Sequence, residues 1–125
     1  MKREKPLKIK RVYDEPSEDD GTRVLVDRLW PRGLTRQRAA VGLWLKELAP
    51  TDALRKWFGH EPSRWTEFCS RYRAELGRNG AEIARLREVV RSGPVTLVYG
   101  AKDEAHNNAV ALLEYLHTAH DPSMK

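Results

Sequence analysis

A small three-layer α/β domain, with a short and mostly parallel sheet flanked by helices, is the fold class this sequence predicts. Two apolar runs carry the prediction. Val24-Leu25-Val26 and Val95-Thr96-Leu97-Val98-Tyr99 are rich in β-formers and bounded by turn residues, as strands covered on both faces are. Between and after them, apolar residues recur at helical spacing. Strands separated by helices favour parallel pairing, because a parallel neighbour is reached only through a long crossover. The two runs are expected to be central and parallel.

Taken in order, Leu7 to Tyr13 alternates apolar and basic residues and reads as the first strand. Residues 14–21 form a polar connection with turn signals at Pro16 and Asp20-Gly21. The strand at about 23–28 ends at Pro31 and Gly33, neither of which continues a ladder comfortably. Thr35 can cap a short helix from Arg36. Residues 41–48 fit helix or strand, with Gly42 weakening the helix. Thr51 caps a helix through Leu54, Trp57 and Phe58, which Gly59 stops.

Pro62 suits the first turn of the next helix, where Trp65, Phe68, Cys69, Tyr72 and Leu76 share one face and Gly77 follows at C′. A further helix from about Gly80 to Arg91 turns Ile83, Leu86, Val89 and Val90 inward. Asp103 is expected to cap the last helix, whose stripe is Ala105, Ala109, Leu112, Leu113 and Leu116. Residues 118–125 read as a flexible tail.

At 125 residues the chain holds one core, which places a single domain at about 12–117 behind a basic arm at 1–11. It is 40% apolar and 33% charged, a balance that excludes a disordered chain. No apolar run approaches a bilayer span, and no apolar stretch follows the basic N-terminus, so neither a membrane partner nor a signal peptide is expected. The lone Cys69 excludes an internal disulfide and fits a reducing cytoplasm. The net charge of +5 arises within residues 1–11, where six Lys and Arg face one Glu, and the rest of the chain balances. Basicity confined to an arm argues against a basic groove across the fold.

The candidate site lies where the second strand runs into Asp27-Arg28-Leu29-Trp30-Pro31-Arg32-Gly33, because ligands of open α/β sheets sit beyond the carboxyl ends of strands. Arg28 and Arg32 offer planar forks that match phosphate or carboxylate, and Gly33 lets backbone approach a ligand. The bland alternative is that these arginines pair with Asp27 or the acidic 14–20 segment and only hold the loop. A second junction, Tyr99 to Asn107, brings Gly100, Lys102 and the titratable His106 toward the same edge. Against an anion there, Asp103 and Glu104 would already occupy the positive end of the helix. His60 follows Trp57-Phe58-Gly59 in an aromatic loop and is a candidate acid or base. Neither GxGxxG nor GxxxxGK[ST] occurs, no spacing matches a metal-ligand set, and the sequence names no cofactor. Cys69 belongs to a buried helix face, where a thiol is inert packing.

Val12-Tyr13-Asp14-x-Pro16, Gly21-x-Arg23-Val-Leu-Val-Asp27-Arg28-Leu-Trp30-Pro31-Arg32-Gly33, Trp44-x-Lys46-x-Leu48-Ala-Pro50, Leu54-Arg-Lys-Trp57-Phe58-Gly-His60 and Asp103-Glu-x-His106-Asn107 together resemble the YeaO-like family, grouped as domain of unknown function 488. The resemblance runs from about Val12 to Leu116, departing only at Gly42, where acidic residues often stand. It implies a compact α/β domain of the bacterial cytoplasm without an established activity. It also implies signature positions at Tyr13, Asp27, Arg28, Trp30, Arg32, Trp57, His60, Asp103, His106 and Asn107. Some relatives carry regulator-like labels, but no helix-turn-helix pattern is legible here.

The resulting expectation is a strand-end crevice that binds a small phosphate- or carboxylate-bearing ligand, with an enzyme as one form this could take. Arg28 and Arg32 would hold the anion, Tyr13 and Trp30 would shape the pocket, and Gly33, Tyr99, Lys102 and Asn107 would contact the ligand. Asp27 would orient an arginine, and His60 or His106 would carry a proton in any catalysis. The rival is a nucleic-acid-binding or regulatory module that uses the basic arm. The sequence leaves open the oligomeric state and whether residues 28–33 and 99–107 meet.

Overall fold

The structure is a computed structural model and describes residues 7–118. Four strands, β1 (Leu7–Arg11), β2 (Thr22–Leu25), β3 (Leu43–Trp44) and β4 (Val95–Tyr99), form one sheet in the order β1-β4-β2-β3. Every pairing is parallel. The two apolar runs are the central strands, and all five residues of β4 are buried. Residues 7–11, expected as the end of a basic arm entering the first strand, form the edge strand β1 in full. The rest of that arm and the expected tail beyond Thr118 lie outside the described residues.

Five helices follow the strands: α1 (Arg36–Ala39), α2 (Asp52–Phe58), α3 (Trp65–Gly77), α4 (Gly80–Ser92) and α5 (Asn108–Thr118). Strand alternation divides the core in two. Val24, Val26, Leu97 and Tyr99 face a large cluster with Leu54, Phe68, Tyr72, Leu86 and Leu112. Leu25 and Val98 face the other side, a small cluster closed by Val12 and Ala39 with Trp30, Leu34 and Trp44 against it. Helices therefore flank the sheet unequally: α2 to α5 cover one face, and α1 with the 28–34 loop covers the other.

Thr35 and Thr51 cap α1 and α2 by accepting from the amides of Arg38 and Leu54, as their positions predict. Gly59 ends α2 with φ of 55°. Pro62 opens a 3-10 turn that runs directly into α3, and Gly77 is the last residue of α3 rather than the one after it. The ambiguous 41–48 segment is neither one helix nor one strand: β3 takes Leu43–Trp44, and a 3-10 turn takes Lys46–Leu48.

The start of α5 corrects the sequence reading. The helix begins at Asn108, not after Asp103. Asn107 is its cap, accepting from the Val110 amide through its side chain and from the Ala111 amide through its carbonyl. The Asp103 carboxylate instead accepts from the amides of Ala105 and His106, closing a local turn.

Buried polar groups tie the base of the sheet together. Arg23 and Asp20 are each 2% exposed. Arg23 donates to Asp20 at 2.9 Å and to the carbonyls of Ala39 and Val12 at 2.9 and 3.0 Å. Lys10 reaches the same carboxylate at 3.1 Å, and Thr96 donates to the Asp20 carbonyl. Burial pushes the Asp20 carboxyl up, but Arg23, Lys10 and Ser17 outweigh it and hold the group well below the usual carboxylate range.

Candidate functional site

Adjacent strands β2 and β4 send their chains to opposite faces of the sheet. After β2 the chain passes to the small cluster, and after β4 it enters α5 on the large one. Such a divergence opens a crevice at the carboxyl edge of the sheet. A cleft of about 520 Å³ lies there, lined from both junctions, a size suited to a small ligand.

The residue 28–33 and 99–107 segments meet in this cleft, and Asp27 is the joint. Its carboxylate accepts from the Gly100 amide at 2.8 Å and from the Asn108 side chain at 3.2 Å. Asn108 also donates to the Val26 carbonyl. Burial pushes the Asp27 carboxyl up, against the Gly100 and Asn108 hydrogen bonds that lower it. The expectation that Asp27 orients an arginine is overturned, because its oxygens face an amide and a carboxamide. The arginine that pairs with the acidic segment is Arg23, deep in the fold.

Arg28 lines the cleft and donates to the carbonyls of Pro50 and Ala49 at 3.4 and 3.3 Å, both long contacts. Arg32 is exposed on the same lining, and no ion pair or hydrogen bond engages its guanidinium among the described residues. Arg55, which the sequence reading passed over, is a third lining arginine, contributed by α2, and among the described residues its guanidinium pairs with the exposed Asp52. Asp27 is the sole carboxylate among the lining residues described.

The loop that carries the first two arginines is braced by aromatic residues. The Trp30 and Trp44 indoles donate to the carbonyls of Leu34 and Asp27, each at 2.7 Å, and their rings meet edge-on at 5.4 Å. Tyr13 spans the mouth, with its hydroxyl donating to the Arg32 carbonyl at 2.9 Å. Arg11 stacks over the Tyr13 ring and donates to the Ala101 carbonyl, fastening edge strand β1 to the loop after β4.

Both candidate histidines reach the cleft. His106 Nδ1 lies 2.9 Å from Asp103, and its ring meets Trp65 edge-on at 5.3 Å, so the imidazole is held on two sides. Its pairing lowers the Asp103 carboxyl, after the larger effect of the Ala105 amide. His60 follows Gly59 with φ of 58°, a backbone region that is strained for a residue with a side chain. Asn107 lines the cleft but is buried, and its amide is committed to capping α5 and to the Asp103 carbonyl.

Three expected ligand contacts fall outside the lining. Tyr99 is buried in the large core, with its hydroxyl pushed up chiefly by burial. Lys102 is exposed on the loop and is not among the lining residues. Gly33 serves a turn: its φ of 81° requires glycine, and nothing approaches within 4 Å of where a Cβ would stand. The earlier objection that Asp103 and Glu104 block a helix end lapses, because α5 begins beyond them.

Sequence reasoning missed Asn108, Arg55, Leu29, Phe58 and Phe68 as lining residues. Asn108 carried the one available signal, a polar residue at the mouth of an apolar stripe. The nucleic-acid alternative loses part of its arm, since Lys8 donates to the Asp19 carbonyl, Lys10 pairs with Asp20 and Arg11 grips the 100–101 backbone. Among the described residues no helix is long and apolar enough to cross a membrane.

Two bacterial relatives are each 41% identical to the chain. The uncharacterized protein Rv3073c of Mycobacterium tuberculosis aligns over 116 residues, 93% of this chain and 98% of its own. The uncharacterized protein YeaO of Escherichia coli aligns over 110 residues, 88% of this chain and 96% of its own. No solved structure matches. A family model described as the inactive DUF488-N3 subclade matches residues 6–124, and the chain belongs to that YeaO-like DUF488 family.

Proposed function

We propose that the cleft between the β2 and β4 junctions binds a small anion bearing phosphate or carboxylate, and holds it without turning it over. One observation carries this reading. Three arginines are among the residues that line the cleft against one carboxylate residue, and both oxygens of that carboxylate already accept hydrogen bonds from the protein. A cationic concave site raises the local concentration of anions and suits bidentate capture. Arg32 is the principal anchor because its fork is unengaged. Arg28 reorients readily, since its present contacts are long. The family description, inactive, favours binding over catalysis, with His60 and His106 as hydrogen-bonding partners of the ligand. An oligonucleotide is the weaker alternative, with three cations of the arm already tied to the fold.

Thermal unfolding of wild type and Arg32→Ala against phosphates and carboxylates tests this. A charge-assisted contact is worth about 1.5–3 kcal/mol, so the variant should lose roughly ten- to hundredfold in affinity. Its own unfolding midpoint should stay close to wild type, since the side chain is exposed and unpaired. Equal ligand shifts in both proteins, or no shift in either, would refute the proposal. An oligonucleotide that binds in place of the small anions would favour the rival.

A further inference from the structure

The lining of the cleft mixes two chemistries, and the mixture describes a ligand. Arg28, Arg32 and Arg55 are cationic. Phe58 and Phe68, 4.6 Å apart, are both buried in the core and line the cleft with their small remaining surface. Two large apolar side chains are exposed among the described residues, Leu29 at 65% and Tyr13 at 41%. Both line this same cleft. Scattered exposed apolar residues need no explanation, but two that converge on one concavity mark surface that a partner covers. A bare phosphate would leave that surface in water.

We infer that the ligand joins its anionic group to a flat apolar ring, as in an aryl phosphate or an aryl carboxylate. The ring packs against Leu29 and the exposed edge of the Phe58–Phe68 pair, and the anion pairs with the arginines. The two histidines lie beside aromatic rings: His60 is 6.4 Å from Phe58, and His106 is edge-on to Trp65. His106 Nδ1 is held by Asp103, so Nε2 is the nitrogen available to a polar atom at the ring edge. This inference rests on the anion reading above and adds the ring to it.

Calorimetric titration with matched probes separates the two. Phenyl phosphate is compared with inorganic phosphate, benzoate with acetate, and benzamide supplies a neutral ring. Covering part of a ring and of the Leu29 side chain should make each ring-bearing anion bind about tenfold more tightly than its bare partner. Leu29→Ser, an exposed change, should cut that advantage about threefold. Bare anions binding as tightly as aryl anions would overturn the ring while leaving the anion reading in place. An undiminished advantage in Leu29→Ser would overturn the placement of the ring. Benzamide binding as tightly as phenyl phosphate, or no binding by any probe, would overturn the anion reading and this inference together.

Discussion

Replacing Arg23 by Met should be among the most damaging single changes available in this protein. The guanidinium is 2% exposed and holds three separate segments: Asp20 in the connection after β1, the Val12 carbonyl at the end of β1 and the Ala39 carbonyl at the end of α1. Met has similar length but no donors, so the change leaves a buried carboxylate short of its main partner and two buried carbonyls short of theirs. Breaking one side of a buried pair costs about 3–5 kcal/mol, against a typical total of about 5–15 kcal/mol. For a domain of this size the midpoint should fall by on the order of 10–25 °C. Urea unfolding at pH 7 measures the free energy and a thermal scan the midpoint, with Lys10→Met as the control. Lys10 meets the same carboxylate from a side chain that is 25% exposed and should cost no more than about 1 kcal/mol. Arg23→Met costing as little as Lys10→Met would refute the claim that this pair anchors the fold. Acid supplies an independent check. Asp20 titrates below its unfolded value, so its stabilisation is complete above the ordinary carboxylate range near pH 4 and is lost as the pH falls below it. Wild type should therefore weaken more steeply between pH 5 and pH 2 than Asp20→Asn does.

Other perturbations separate backbone needs from the cleft. Gly21 has φ of 63°, and a Cβ there would lie 2.2 Å from the Pro94 carbonyl oxygen, whereas Gly33 has φ of 81° and open space. Gly21→Ala should thus cost more than about 3 kcal/mol or prevent folding, and Gly33→Ala about 1–2 kcal/mol from the backbone alone, as urea unfolding would show. Thr51→Ala removes the cap on the Leu54 amide and the hydroxyl bond to Glu75, and should lower the thermal midpoint by the equivalent of about 1–2 kcal/mol. Asp27 titrates above its unfolded value, so it stabilises most when protonated and loses that contribution as pH rises through its folded value. The stability of wild type relative to Asp27→Asn should accordingly decline from pH 4 upward, opposite in sign to the Asp20 effect, and a rising difference would contradict the environment described for Asp27.

Continuous apolar runs made the centre of the fold legible, since only doubly covered strands can be apolar throughout. Helix caps at Thr35 and Thr51 were legible because the cap is a local device, read within four residues. Asp103 misled for the same reason. An aspartate that closes a turn and an asparagine that caps a helix use one chemistry, and which of the two begins α5 depends on how the helix docks. Pairing among arginines is less local still. Five arginines lie between residues 23 and 38 beside an acidic stretch, and sequence cannot say which one enters the core. Arg23 had a signal in hindsight: it directly precedes Val24-Leu25-Val26 and so lies within the buried strand. Convergence of the two junctions follows from the strand order β1-β4-β2-β3, a three-dimensional fact with no counterpart in spacing along the chain.

Residues that read as one signature in the sequence, together with Leu29, which that reading missed, have two kinds of work in the structure. Asp27, Trp30 and Asn107 have their polar groups engaged by the backbone or by neighbouring side chains, so they build the edge of the cleft. Arg32, His60 and Leu29 face the cleft from exposed positions. Stability gives no reason for the left-handed backbone of His60, which costs more for a residue with a side chain than for glycine. That division of labour is what the proposed anion site requires: anchoring groups satisfied, inward-facing ones open. The two sets are therefore separable by mutation. Changes at Arg32 or Leu29 should alter binding with little change in unfolding, and changes at Asp27 or Trp30 should alter both.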